Sequence, residues 1–123
     1  MLSIKVKICG ITNTEDALAA VEMGADMLGF NFYEKSPRYV PYEQAFNILK
    51  KIPTSIDTVG VFVNPTPTEL KRIVEGGFLN WIQLHGDETP EFCRSLTWTN
   101  ARLIKAIRVR TAEDIQKAYE YQI

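Results

Sequence analysis

Three side chains in the 123-residue sequence have types and positions suited to chemistry, namely Cys9, Arg38 and His85. A cysteine beside a cation and near the start of a helix favours the thiolate, which acts as a base or a nucleophile. An arginine guanidinium matches a carboxylate with two parallel hydrogen bonds. A histidine can orient a substrate or carry protons near neutral pH, and His85 is the only histidine in the sequence.

Each of these residues also has a plainer interpretation. Cys9 could be a small buried apolar residue, Arg38 a solvated surface residue, and His85 a residue bonded to a neighbouring loop. Lys7 precedes Cys9 by two positions, so in a strand the two side chains share a face and bring a cation towards the thiol. The other cysteine, Cys93, falls within a predicted helix beside apolar residues, and we expect it in the core.

Composition and missing motifs narrow the range of functions. The sequence has 14 Lys and Arg against 15 Asp and Glu, a net charge of −1, without the basic excess typical of a nucleic-acid binder. Its apolar runs are far shorter than the ~20 residues of a membrane span, and the first residues lack a secretory signal. One histidine and two distant cysteines make no zinc pattern, and no glycine-rich nucleotide loop occurs. We therefore expect no metal, no cofactor and a cytoplasmic location.

Short β-branched runs alternate with amphipathic stretches along the whole chain. The predicted strands are Ile4–Ile8, Met27–Phe32, Thr58–Val63, Trp81–Leu84 and Leu103–Ile107. The predicted helices begin at the capping spacing Thr12–Glu15, at Pro41, at the capping box Thr66–Glu69, at Thr89 with Pro90, and at the capping spacing Thr111–Asp114. This alternation predicts an α/β fold of parallel strands joined by right-handed crossovers, in one domain over residues 1–123.

Two architectures accommodate five such units. One is a five-stranded doubly wound sheet like that of flavodoxin, which ~120 residues can fill. The other is part of a (β/α)8 barrel, which as a whole needs at least ~200 residues. Both place active sites at the carboxyl ends of the strands, and Cys9, Arg38 and His85 all follow predicted strands. We expect the three residues to converge at one edge of the sheet.

Five segments of the sequence follow one another in the order and spacing of a known family. They are Lys5-Val6-Lys7-Ile8-Cys9-Gly10-Ile11-Thr12, the second unit from Gly24 to Tyr39 with Lys35-Ser36-Pro37-Arg38, Val59-Gly60-Val61-Phe62-Val63-Asn64, Ile82-Gln83-Leu84-His85-Gly86-Asp87-Glu88, and Ile104-Lys105-Ala106. This series resembles the phosphoribosylanthranilate isomerase family of tryptophan biosynthesis. The match spans the chain, and the five segments together are far more specific than any one alone.

The resemblance implies a (β/α)8 barrel with strands in sequential order and an Amadori rearrangement that needs no cofactor. Its phosphorylated substrate, N-(5-phosphoribosyl)anthranilate, opens to an iminium and becomes an aminoketose. The resemblance makes Cys9 the base that removes the proton from C2 of the iminium. It makes Arg38 the ligand of the anthranilate carboxylate and His85 a residue that lines the pocket.

The sequence departs from the family at its end. The family's general acid is an aspartate on the sixth strand, and its phosphate site is built from loops after the seventh and eighth strands. Neither feature occurs before Ile123, and Asp87 and Asp114 do not lie in the matching motif. The sequence thus resembles about five of the eight units. We expect little or no isomerase activity from it alone.

Two other interpretations remain open at this stage. A non-enzymatic flavodoxin-like domain, such as a phospho-acceptor receiver, needs acidic residues where this sequence has Cys9-Gly10 and Asn64-Pro65. A structural fragment would self-associate or bind a complementary C-terminal fragment, because five barrel units leave two sheet edges unpaired. In that case we expect the inner face to lack its opposite wall along Val6, Ile8, Val59, Val61 and Phe62.

Overall fold

The chain folds into five strands that alternate with five helices, in a computed structural model that describes residues 3–122. The strands are β1 (Lys7–Ile8), β2 (Met27–Asn31), β3 (Asp57–Phe62), β4 (Trp81–Leu84) and β5 (Arg102–Lys105). The helices are α1 (Thr14–Glu22), α2 (Tyr42–Leu49), α3 (Pro67–Val74), α4 (Pro90–Arg94) and α5 (Ala112–Ala118), and a 3₁₀ turn, Tyr119–Tyr121, follows α5. None of the helices within residues 3–122 is long and apolar enough to cross a membrane.

All five strands pair in parallel and in sequential order, β1-β2-β3-β4-β5. The predicted strand order and parallel α/β class are confirmed. A flavodoxin-like sheet would reverse direction at a switch point and place the strands in the order 2-1-3-4-5. The observed order therefore rejects that alternative and is the order of consecutive units in a (β/α) barrel.

One face of the sheet is covered by helices and the other is concave. On the helix side, Leu28 and Phe30 of β2 and Leu84 of β4 are fully buried in two clusters with helix residues. On the concave side, Met27, Val59 and Val61 form a third cluster, against which Trp81 and Ile104 pack. The period of two along each strand thus sends alternate side chains to opposite faces.

The prediction of which residues line the inner face of the sheet was only partly right. Val59 and Val61 do line the concave face, yet both are buried, at 0% and 2% exposure. Phe62 instead packs with Leu70 of α3 on the helix side. Val6 and Ile8 alternate with Lys7, and Ile8 is in register with helix-side Leu28, so these two also belong to the helix side.

The curvature of the sheet is shown by a hydrogen bond between its first and fourth strands. Lys7 Nζ donates to Gln83 Oε1, although two strands lie between β1 and β4. Neighbouring strands are ~4.8 Å apart, so in a flat sheet the two backbones would be separated by about 14 Å with parallel side chains. The bond therefore requires the sheet to bend towards its concave face, as a barrel wall does.

Four of the five strands differ from their predicted bounds. β2 ends one residue early and β3 is shifted by one residue, whereas β1 and β5 differ for reasons of pairing. β1 covers only the last part of the predicted Ile4–Ile8. The Val6 amide donates to the Asp26 carboxylate at 2.7 Å rather than to a carbonyl of β2, and only the Val6 carbonyl still accepts from the Met27 amide at 3.1 Å. β5 begins one residue before the predicted Leu103–Ile107 and ends at Lys105. It ends there because its partner β4 ends at Leu84, which is in register with Lys105.

The helix starts follow local capping chemistry. The capping box at α3 is confirmed, since Thr66 Oγ1 accepts from the Glu69 amide at 3.1 Å and Glu69 accepts in return from the Thr66 amide at 3.2 Å. At α1 the predicted cap, Thr12, is wrong. Asn13 caps this helix, with its Oδ1 accepting from the Asp16 amide at 2.7 Å and its Nδ2 donating to the Asp16 carboxylate at 2.9 Å.

Several exposed apolar side chains lie in the segments next to the two edge strands. Ile4, Val6 and Ile8 lie at the β1 edge with 81%, 46% and 41% exposure. Ile115 and Tyr119 lie beyond β5 and are 51% and 61% exposed. Within residues 3–122, β1 and β5 each pair with one neighbour only. Part of the exposed apolar surface thus lies at the edges, whereas Val59 and Val61 of the concave face are buried.

The α1 cap gives a direct test of this local structure. We expect Asn13→Ala to lower the free energy of unfolding by about 1 kcal/mol, because the first turn of α1 loses its side-chain acceptor. Thr12→Ala is the matched control, since the bond from Gln44 Nε2 goes to the Thr12 backbone oxygen and survives the substitution. Urea denaturation of both variants measures the difference, and an equal loss from both would contradict the assignment of Asn13.

Candidate functional site

Cys9 lies at the carboxyl end of β1 on the concave side of the sheet. The amides of Gly10 and Ile11 both donate to the Gly29 carbonyl at 3.1 Å, which anchors the turn after Cys9 to β2. Gly29 shares its face with Met27 of the concave cluster. A Cβ at Gly29 would lie 2.9 Å from Cys9 Sγ, so the thiol occupies the space that a side chain at position 29 would take. The thiol is exposed rather than buried in the helix layer.

Arg38 reaches from the loop after β2 to the turn that follows Cys9. Its amide donates to Ser36 Oγ at 3.1 Å, and the loop returns to the sheet through the Val40 amide and the Asn31 carbonyl at 3.0 Å. The aliphatic stem of Arg38 covers Gly10, whose φ of +83° is a glycine conformation. The guanidinium forms no ion pair among the residues described, 3–122, and the side chain is exposed.

His85 follows β4 directly and continues its extended path. The His85 amide donates to the Phe62 carbonyl of β3 at 2.9 Å. Because side chains alternate, His85 has the same orientation as Gln83, whose Oε1 accepts from Lys7 across the concave face. The imidazole is exposed.

The structure brings Cys9 and Arg38 side by side and places His85 at the same edge, three strands along. Lys7, expected near the thiol, directs its ammonium to Gln83 instead. Cys93 is buried in the cluster between β4 and α4, as expected, and burial raises the pKa of its thiol. Among residues 3–122, no group of three or more His, Cys, Asp or Glu side chains could hold a metal ion.

Two cavities lie close to the sheet but away from Cys9, Arg38 and His85. One, of about 600 Å³, separates the start of α2 from α3 and is lined by Tyr33, Tyr42 and Arg72 among others. The other, of about 520 Å³, lies at the amino ends of the strands beside Trp81 and Arg102. Neither is lined by Cys9, Arg38 or His85, which lie on an open surface.

Sequence reasoning missed a buried ion pair behind His85. Glu88 and Lys105 have side chains that are 2% and 9% exposed, with Oε1 and Nζ 2.9 Å apart. Tyr121 donates its hydroxyl to the Glu88 carbonyl at 2.6 Å. Burial acts to raise the pKa of Glu88, but the hydrogen bonds from Lys105 and from the Asn64 amide outweigh it, so this pKa lies below its ordinary value.

A signal for this pair was present in the sequence. Lys105 ends an apolar strand, and a lysine in such a strand is rarely buried without a partner. Glu88 comes three residues after His85, where the following loop turns back over the sheet. Only the register of β4 and β5 brings the two together, and the residue pattern alone does not contain that register.

Similarity to known proteins agrees with this arrangement. The family model described as "N-(5'phosphoribosyl)anthranilate (PRA) isomerase" matches residues 6–123. The chain belongs to this isomerase family. The resemblance found in the five motif segments is therefore confirmed, and with it the assignment to an isomerase family of tryptophan biosynthesis.

Individual members of this isomerase family are similar to the chain in sequence and in three-dimensional structure. An N-(5'-phosphoribosyl)anthranilate isomerase of Trichodesmium erythraeum is 46% identical over 122 residues, which are 97% of this chain and 53% of that protein. The phosphoribosyl anthranilate isomerase of Thermotoga maritima superposes with a TM-score of 0.91 at 44% identity, covering 97% of this chain and 58% of that one. Another isomerase structure, solved with reduced 1-(o-carboxyphenylamino)-1-deoxyribulose 5-phosphate, has the same TM-score and identity over 97% of this chain and 61% of its own.

The chain matches only part of the length of each of these relatives. The chain spans about half the length of the curated isomerases it matches. The five units described here thus correspond to part of the family's fold, and the carboxyl edge with Cys9, Arg38 and His85 falls within that shared part.

The Glu88–Lys105 pair predicts a specific pH dependence of stability. Because the pKa of Glu88 is lowered on folding, its stabilisation is complete above the unfolded-state value of ~4.3 and is lost as pH falls through the folded-state value. We expect Glu88→Gln to cost about 3–5 kcal/mol at pH 7, since it leaves Lys105 buried and unpaired, and less at pH 3, where the unsubstituted protein has already lost part of the stabilisation from ionised Glu88.

Asp87→Asn is the matched control for this prediction, because it removes an exposed carboxylate from the adjacent position. Urea denaturation at both pH values gives the free energies of unfolding. A penalty for Glu88→Gln that stays the same at pH 3 would contradict the ionised pair.

Proposed function

We propose that this chain carries the base and the carboxylate ligand of an isomerase that converts N-(5-phosphoribosyl)anthranilate into its 1-deoxyribulose 5-phosphate product. The observation that carries the proposal is the placement of the Cys9 thiol on the concave face, over Gly29 and beside the turn covered by Arg38. These residues lie in segments that the family match includes. The expected cytoplasmic location and the absence of a cofactor belong to the same proposal.

The proposed chemistry is an Amadori rearrangement. Protonation of the ring oxygen opens the ribose and leaves an iminium at C1. Cys9, as thiolate, then removes the proton from C2, and the electron pair of that C–H bond forms the C1–C2 double bond while the iminium becomes an amine. The resulting enol takes up a proton at C1 and releases the proton of its C2 hydroxyl to become the ketone, so substrate and product have the same atoms and oxidation level.

Arg38 and His85 have roles in binding under this proposal. The Arg38 guanidinium, without an ion pair among the residues described, is free to donate two parallel hydrogen bonds to the anthranilate carboxylate. His85 lines the same edge from β4. A small phosphorylated substrate also suits the net charge of −1 better than nucleic acid does.

The proposal assigns only part of the machinery to these residues. The resemblance places the general acid on a sixth strand and the phosphate loops after the seventh and eighth strands. A polypeptide limited to residues 1–123 therefore lacks the acid that opens the ring and the remote binding energy of the phosphate. We propose that such a polypeptide has little or no activity by itself.

The experiment compares the 123-residue polypeptide with the same polypeptide joined to the C-terminal part of the Thermotoga maritima isomerase. We expect turnover from the joined protein and at least ~10²-fold less from residues 1–123 alone. In the joined protein, Cys9→Ala should lower kcat by about 10²–10⁴-fold because the base is lost.

Cys93→Ala in the joined protein is the matched control, since it removes the buried cysteine behind the sheet. Circular dichroism confirms that each compared variant is folded. Retained turnover in Cys9→Ala would overturn the assignment of the base. Equal turnover from residues 1–123 alone would overturn the division of the machinery.

We also propose that the two sheet edges associate, either with a second copy or with a complementary C-terminal fragment. The support is the apolar surface at Ile4, Val6 and Ile8 on one edge and at Ile115 and Tyr119 on the other. Unpaired strand edges with apolar side chains pair readily with other chains.

Light scattering on the 123-residue polypeptide at micromolar concentration tests this association. We expect a mass above that of one chain, and a return towards one chain in the double variant Ile8→Lys/Ile115→Lys, which charges both edges. Met23→Lys is the control, because Met23 is 87% exposed but lies at the end of α1. A stable monomer that ignores an added C-terminal fragment would contradict the proposal.

A further inference from the structure

The buried pair of Glu88 and Lys105 does more than neutralise two charges. Glu88 Oε1 and Oε2 accept from the Gly86 amide at 2.9 and 3.2 Å. Lys105 Nζ donates to the Gly86 carbonyl at 2.7 Å, in addition to its bond to Glu88. The two charged groups therefore hold both polar backbone groups of the residue that follows His85.

The same carboxylate also joins two neighbouring loops. Glu88 Oε2 accepts from the Asn64 amide at 2.7 Å, and Asn64 Oδ1 accepts in return from the Asp87 amide at 2.8 Å. Asn64 has a φ of +46°, an unusual conformation for a residue other than glycine, which these bonds help to maintain. The loop after β3 is thereby fastened to the loop after β4.

Little space remains between these loops. A Cβ at Gly86 would lie 2.7 Å from Asn64 Oδ1 and 2.9 Å from the Asn64 amide nitrogen. On the other side, the His85 amide is held by the Phe62 carbonyl. The backbone of His85 is therefore fixed before and after its Cα, although its imidazole is exposed.

We propose that Glu88 and Lys105 are positioning residues that fix the backbone of His85 and thereby present its imidazole at the carboxyl edge where the proposed substrate binds. Burial makes the arrangement rigid, because a charged hydrogen bond in a dry site has no water to replace it. The inference rests on the proposed function for its effect on catalysis, but the orientation of His85 is a structural claim that can be measured alone.

The first experiment uses the single histidine of the sequence as an NMR probe. In the joined protein, prepared with histidine labelled only within residues 1–123 by segmental ligation, we expect Glu88→Gln to shift and broaden the imidazole signals of His85. Asp87→Asn, the matched loss of an exposed neighbouring carboxylate, should leave them unchanged. Unchanged His85 signals in folded Glu88→Gln would overturn the proposal.

The second experiment is a kinetic double-mutant cycle in the joined protein. We expect Glu88→Gln to raise KM about tenfold with a smaller change in kcat, as loss of one oriented binding contact would do. Because Glu88 acts through His85, Glu88→Gln should add little to the effect of His85→Ala. Effects that multiply would overturn the positioning role and leave a purely structural one.

A further variant covers the case in which Glu88→Gln does not fold. Glu88→Gln/Lys105→Met removes both buried charges together, which avoids an unpaired charge in the core. We expect its His85 signals to be displaced as well, and native signals would overturn the inference. If the signals shift while His85→Ala leaves KM and kcat unchanged, the positioning of His85 stands and its role in the proposed function fails.

Discussion

The parallel orientation of the five strands is the constraint on which the candidate site depends. A parallel strand can follow another only after the chain has crossed back over the sheet, so every loop from strand to helix emerges at the same edge. This geometry brings Cys9 of the first unit, Arg38 of the second and His85 of the fourth to one side of the molecule. No local contact between these residues is needed to gather them, since the hydrogen-bonded ladder does so.

The glycines at this edge work by leaving space. Gly29 gives room to the Cys9 thiol, and Gly10 gives room to the stem of Arg38. Gly86 lets the loop after β4 approach Asn64 closely. At each of these positions a Cβ would displace a side chain or loop of the site, so the identity of the glycine matters as much as that of the polar residue beside it.

The sequence predicted the parts of this structure that depend on local chemistry. Strand and helix alternation, the capping box at Thr66 and the edge location of Cys9 follow from periodicity, capping and strand ends. The predictions failed where a distant residue intervened. Asp26 shortens β1 by taking the Val6 amide, and Phe62 faces α3 rather than the barrel interior. The Glu88–Lys105 pair depends on the register of two strands, which no residue pattern within either strand contains.

The bond between Lys7 and Gln83 has a consequence for how the chain reaches this structure. The two residues are 76 positions apart, so the first strand is made long before its partner across the concave face exists. At ~5–20 residues per second, a growing chain needs roughly 4–15 s to add that interval. The bond itself can form only after the fourth unit has been synthesised, so Lys7 is without this partner during that interval. Closure of the concave face between the first and fourth strands is therefore a late event in the history of each molecule, even though its first participant is among the first residues made.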